Sequence, residues 1–179
     1  MSRPPCVQDE TFRVSAQADA GRVMRPGVRL GLDVGSVRIG VARCDPGGTL
    51  ASPLDTVRRG SGDLDQVARL VAQNEAMEIV VGLAVGLAGA EGRAAADGRA
   101  FATALARRLV PVPVRLVDER FTTVLANAAL AQGGLDSRAR RHAVDKAAAA
   151  LLLQGALDAE RLTGQPAGQL VAAAGGATT

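Results

Sequence analysis

At 179 residues and 18.2 kDa, with 47% hydrophobic and 22% charged residues, the chain has the size and composition of one globular domain with a single core, and wholesale disorder is excluded. Trp and Tyr are absent and Phe occurs three times, so the core must be aliphatic, and a platform that stacks nucleic-acid bases on aromatic rings is disfavoured. The balance of 21 basic against 18 acidic residues, net +3 with a pI near 9.6, permits a polyanionic partner without demonstrating one.

The segment 1–27 mixes Pro, Gly, Gln and charge without apolar periodicity and is expected to be a flexible N-terminal tail. It lacks the apolar stretch of a secretory signal, and no run of about 18 apolar residues offers a membrane span, so a cytoplasmic location is expected. The folded domain is expected over 28–162, with a second flexible tail over 163–179. VRLGLDV (28–34) alternates and predicts a strand; RIGVARC (38–44) predicts a second, joined by a tight turn at Gly35-Ser36-Val37. LASPLDTVR (50–58) predicts a third, where Pro53 favours an edge or a bulge. Asp63-x-x-Gln66 resembles a capping box and opens a helix to about Glu75, with Leu64, Val67, Leu70 and Val71 on one stripe. EIVVGLAV (78–85) is a continuous apolar run suited to a buried parallel strand. After a glycine-containing loop (86–92), an Ala-rich helix is predicted from Arg93 to Leu109, with Phe101, Leu105 and Leu109 at helical spacing and Pro111 as its stop. PVRLVDE (113–119) predicts a fifth strand, and a short helix capped by Thr122 or Thr123 follows to about Gln132. QGGLDSRARR (132–141) is expected to be an irregular connection, and a last helix spans His142–Leu162. Hairpin-linked strands followed by strands separated by helices predict an α/β fold. Its sheet is mixed, an antiparallel meander on one side and parallel strands on the other, with helices on both faces.

Three places could carry chemistry. Asp33 shares a strand face with Arg29 and Gly31, and Gly31 leaves space beside the carboxylate. A carboxylate near the end of a central strand is costly to desolvate unless a cation compensates it; a divalent metal or Arg38 would serve, and a turn-capping Asp is the plain alternative. Asp118-Glu119 ends a predicted parallel strand, where open α/β sheets place ligand sites. Neighbouring strand residues face opposite ways, so only one of the two joins Asp33, and parity alone does not say which; both could instead pair with Arg115 or Arg120. Asp145 has Ala148, Ala149 and Leu152 at its helical neighbours, beside the buried stripe; there it could also merely favour the helix dipole.

Three carboxylates on separate elements suit hard divalent ions such as Mg²⁺ or Mn²⁺, and two such ions could support phosphodiester hydrolysis. The run Arg138-Ala-Arg140-Arg141-His142 could hold flanking phosphates, or simply be a solvated helix start. Lys146 is the only lysine; Arg suits bidentate phosphate contacts, although a GC-rich coding bias favours Arg and Ala together. His142 is the sole histidine, so a His-rich zinc site is excluded, and Cys6 and Cys44 make neither a metal site nor a disulfide framework. Both thiols are expected to be reduced.

LGLDVGSVRIGVA, EIVVGLAVGLAGAEG, RLVDERFTTVLA and HAVDKAAAALLLQGAL, in this order and spacing, resemble the YqgF/RuvX family over about residues 28–160. The resemblance implies a ribonuclease H-like fold with a five-stranded mixed sheet and a metal-dependent acidic site. Carried onto this chain, that site is Asp33, Glu119 and Asp145, holding Mg²⁺ or Mn²⁺, and the resemblance favours Glu119 over Asp118. Thr122 and Thr123 correspond to the family's Thr pair, whereas Ala84 stands where the family usually has proline and the loop Gly86–Gly92 is unusually apolar. The implied activity is a nuclease of pre-16S ribosomal RNA in ribosome biogenesis, with Arg38, Arg138, Arg140 and Arg141 as candidate phosphate contacts. Three alternatives stay open. A resolvase-like endonuclease of four-way DNA junctions would want a twofold homodimer. A non-catalytic RNA-binding assembly factor would retain the carboxylates for structure. An ATP-binding phosphotransferase would need two lobes, for which this chain lacks the length.

Overall fold

Alternation decides the architecture, because each strand must offer one apolar face to each layer of helices. In a computed structural model of the chain, residues 24–83, 92–118 and 137–173 are described, and within the last helix side chains are described from Lys146 onward. Three strands come first: β1 (Arg29–Val34), β2 (Arg38–Cys44) and β3 (Ala51–Arg58). Then follow α1 (Asp63–Gln73), β4 (Glu78–Leu83), α2 (Arg93–Arg108), β5 (Val114–Asp118), α3 (Ser137–Thr163) and β6 (Gln169–Leu170). The sheet order is β3-β2-β1-β4-β5-β6. β1, β2 and β3 form the antiparallel meander, and β1, β4 and β5 run parallel.

One face is covered by α1 and α2. Leu30, Leu32, Ile39, Val41, Ile79, Val81, Val114 and Leu116 meet Val67, Val71, Phe101 and Leu105 there. On the other face Ala42, Cys44 and Val80 meet Ala149, Leu153, Ala156 and Leu157 of α3. The core is aliphatic as composition requires, with Phe101 its one ring among the described residues. Burying a side chain such as Leu153 stabilises by about 1.5–3 kcal/mol. Pro53 sits on the edge strand, opposite the register shift between Val41 and Ala42, which resolves its cost to the ladder. No helix among the described residues is long and apolar enough to cross a membrane.

Several expectations need correction. Among the described residues the sheet has six strands rather than five: Gln169–Leu170, within the expected C-terminal tail, pair antiparallel with β5. Part of the expected N-terminal tail is also docked, since Arg25 is ion-paired to Glu78 and Glu160. Both docked pieces hold by partners distant in sequence, which local composition does not reveal. α3 begins at Ser137, five residues before the expected His142, because Arg and Ala after the Gly133-Gly134 pair are good helix formers. α1 has no capping box: Gly62 is the N-cap in a left-handed conformation (φ 83°), and no side chain caps the helix. Asp63 instead accepts hydrogen bonds from the Gly60 and Leu64 N–H groups and from Arg59 Nε. The segment 1–23, the loop after Leu83, Glu119 and the short helix expected after Thr122 lie outside the described residues.

Candidate active site

Asp33 is the penultimate residue of β1, half-buried, at the end of the strand where β1, β4 and β5 all finish. Its face follows from its neighbours. Leu30 and Leu32 pack against α1 and α2, so Gly31 and Asp33 face α3. Gly31 was expected to leave space beside the carboxylate; that space is taken by α3. A Cβ at position 31 would lie 2.7 Å from Leu153 Cβ and 3.0 Å from the Ala149 carbonyl oxygen. The helix therefore rests directly on the backbone of β1.

The course of α3 comes from two further contacts. At the start of β1, Arg29 Nη2 is 3.0 Å from Glu160 Oε1. One step along β1, Gly31 meets Ala149 and Leu153. Moving up the strand thus moves down the helix, so the two run antiparallel. The turn of helix that includes residue 145, one turn before Ala149, continues toward the Asp33 end of β1. The backbone at Arg138, Arg140, Arg141 and His142 belongs to the first turns of the same helix. The side chains of these residues and of Asp145 lie outside the described set, as does Glu119.

Val114 and Leu116 belong to the α1/α2 core and Val117 packs on the α3 side, so alternation puts Asp118 on the face opposite Asp33. Arg115 is committed elsewhere, to Glu78 at 2.8 Å. Arg38, the candidate phosphate contact, begins β2 beside the turn closed by Gly35 N–H donating to its carbonyl (2.9 Å). It lies at the same end of the sheet as Asp33, which pairs with Gly40 two residues on. Among the described residues no group of three His, Cys, Asp or Glu side chains gathers as a metal cage; of the three carboxylates proposed from sequence, only Asp33 has a described side chain.

Sequence reading missed the charged cluster at the opposite end of β1. Arg29 is only 1% exposed and Glu78 2%, and around them Arg25 reaches Glu78 at 2.6 Å and Glu160 at 2.7 Å. Buried ions demand such pairing, because an unpaired charge there would be heavily penalised. Burial works to raise the Glu160 carboxyl, but the hydrogen bond from Arg25 and the charge of Arg29 outweigh it and hold the group below the usual carboxylate range. The only signal in the sequence was the alternation placing Arg29 on an inward face.

The family described as RuvX, Holliday junction resolvase, matches residues 27–159. The chain belongs to the RuvX family. A protein of Thermobifida fusca (strain YX) named "Putative pre-16S rRNA nuclease" is 59% identical over 155 residues, covering 83% of this chain and 98% of that one. A protein of the same name from Nocardioides sp. is 56% identical over 153 residues, covering 83% and 98%. Among solved structures, T. thermophilus RuvC in complex with Holliday junction substrate is similar with a TM-score of 0.46 and 16% identity, over 70% of this chain and 91% of that chain. RuvX membership and the central strand order β3-β2-β1-β4-β5 make the fold ribonuclease H-like. The RuvX match starts just before β1 and ends inside α3, so it spans every element that positions Asp33.

Proposed function

We propose that the chain is a divalent-metal-dependent nuclease that hydrolyses phosphodiester bonds in structured nucleic acid, acting on the 5′ end of pre-16S rRNA. The observation that carries this reading is Asp33: a half-buried carboxylate on the terminal turn of a central strand, on the face where α3 lies against the backbone. The substrate comes from the relatives, which bear the name of a pre-16S rRNA nuclease. A carboxylate donor set fits a hard cation, since Mg²⁺ and Mn²⁺ take oxygen ligands. Asp33, Glu119 and Asp145 would hold it, and it would supply activation of water and charge neutralisation at the leaving oxygen. Asp118 is set aside because its strand alternation turns it to the other face. Within the site, Asp33 and Asp145 would ligate the ion, and Glu119 would ligate it or orient the attacking water. Arg38, Arg138, Arg140 and Arg141 bind phosphates on either side of the scissile bond.

The test compares wild type with Asp33→Asn, Glu119→Gln and Asp145→Asn on precursor RNA, with Mg²⁺, with Mn²⁺ and with chelator. Each substitution is expected to lower cleavage by more than the roughly 10–100-fold typical of groups outside a metal's own ligand shell. Equal cleavage by wild type and Asp33→Asn, or cleavage undiminished by chelator, overturns the reading. The family description supports a second substrate, the four-way DNA junction. That version needs a twofold dimer presenting two sites, and a protein that stays monomeric on junction DNA rules it out.

A further inference from the structure

Contacts along α3 fix which way each of its edges is turned. Ala149 and Leu153 rest on Gly31 of β1. Gln154 accepts a hydrogen bond from the Ala51 N–H at 2.9 Å, and Arg161 donates to the Gly48 carbonyl at 2.8 Å, so that edge is turned to the start of β3. Leu152 and Ala156 line the groove beside Val117 of β5. The stripe between these edges, Ala149, Leu153 and Leu157, is buried on the sheet. Lys146 continues that stripe. It stands seven residues before Leu153, hence within about 20° of it around the helix axis and about 10 Å nearer the helix N-terminus. Asp33 stands about 6.6 Å beyond Gly31 in the same direction. Helical side chains lean toward the N-terminus of their helix, so Lys146 is directed to the end of the sheet that carries Asp33.

A cation at the head of an apolar stripe is costly unless something compensates it. The other charged side chains described in α3 all have partners: Asp158 meets Arg161 at 2.6 Å, and Glu160 meets Arg25 at 2.7 Å and Arg29 at 3.0 Å. Lys146 is half-buried and makes no hydrogen bond or ion pair among the described residues. It is also the only lysine among the 21 Lys and Arg residues of the chain. An ammonium is a compact point charge on a flexible stem, suited to a phosphate oxygen met end-on, where a guanidinium fork would bind two.

We propose that Lys146 is a substrate-phosphate contact: a cation of the protein itself that receives the nucleic-acid backbone over the Asp33 end of β1, whether or not a metal is bound. The proposal rests on the nuclease reading above and adds Lys146 to its phosphate contacts. A plainer role for Lys146 is to cover apolar surface with its stem while the ammonium stays in water. Lys146→Met keeps such a stem without the charge and separates the two roles.

The experiment measures binding of the full-length protein by fluorescence anisotropy in chelator, across about 50–200 mM salt, with two probes: a precursor-rRNA hairpin and a four-way DNA junction. Melting temperatures of the same proteins are taken alongside. For Lys146→Met, affinity falls at every salt concentration. The slope of log K against log salt becomes shallower by about 0.7–0.9, the loss of one phosphate contact. Its melting temperature equals or exceeds that of wild type, because an uncompensated charge has been removed from the stripe. Lys146→Arg keeps the wild-type slope, because the charge is retained. A loss confined to one probe assigns the contact to that nucleic acid. If wild type binds and Lys146→Met matches it in affinity and slope, the contact is refuted while the nuclease reading stands. Weaker binding that comes with a lowered melting temperature in both variants assigns Lys146 to the fold and refutes the contact as well. If wild type binds neither probe, contact and nuclease reading fall together.

Discussion

Gly31 and Glu160 are single residues on which the placement of a whole helix depends. A methyl group at position 31 would press on Leu153 Cβ and on the Ala149 carbonyl oxygen, and the second of these is backbone that cannot swing aside. Gly31→Ala is expected to destabilise by about 1–3 kcal/mol, the usual cost of overpacking, read as a lowered urea midpoint at unchanged m. Glu160 adds a pH dependence with a definite sign. Its carboxyl lies below the ordinary range when folded, so its contribution is fully present above the unfolded glutamate value, near 4.3. That contribution is lost as pH falls through the folded value. Glu160→Gln is expected to cost about 3 kcal/mol at neutral pH, as for breaking a buried pair, and to flatten the acid limb of the stability profile. An unchanged acid limb in the variant would show that other carboxylates govern acid unfolding. Asp33 itself was legible in the sequence, since alternation along 28–34 set its face with Gly31 and Arg29. The partners of Arg29 were not, because Glu78 and Glu160 are brought to it only by the β1–β4 register and the packing of α3.

Strong periodicity made the elements readable, and weak periodicity hid them. β1, β2, β4, α1 and α2 lie within a few residues of the alternating or helical stripes that announce them. α3 starts earlier than expected, because two glycines ahead of Ser137 suggested an irregular connection that the following Arg-Ala run overrides. β6 could not be seen at all: two residues carry no period, and they form a strand only because β5 offers an open edge. Gly168 permits that return. It has φ +77°, and a Cβ there would collide with the Leu116 carbonyl. Gly168→Ala is therefore expected to release β6 and cost about 1–3 kcal/mol, with amide exchange accelerating at Val171, whose N–H donates to the Val114 carbonyl, while β1 and β4 remain protected. On α3, Leu153→Ala should cost about 2–5 kcal/mol, as it empties the space above Gly31.

At the scale of the whole molecule, the sheet order brings the ends of β1, β4 and β5 to one edge and sends the buried arginine–glutamate cluster to the other. An end that carries Asp33 and an anchoring end result, joined by α3. This division predicts that ligand effects and anchor effects separate. Mg²⁺ or Mn²⁺ at 100 times its dissociation constant should stabilise wild type by about 2.7 kcal/mol, seen as a raised melting temperature. Asp33→Asn should abolish that shift, whereas Glu160→Gln should keep it from a lower starting point. An equal metal-induced shift in Asp33→Asn would place the cation elsewhere.

Composition, alternation and motif order by themselves determined that this chain is a mixed α/β domain with an aliphatic core, that Asp33 shares a strand face with Gly31, and that it belongs with RuvX proteins. They suffice there because apolar period and residue type are local properties, carried by every strand and helix without its neighbours. Only the tertiary structure decided that α3 runs antiparallel against Gly31, and that Arg29, Glu78 and Glu160 meet in one buried cluster. Those outcomes depend on register and on pairings across as many as 135 residues, and such pairings are chosen by the packing of the whole sheet rather than by any segment of it.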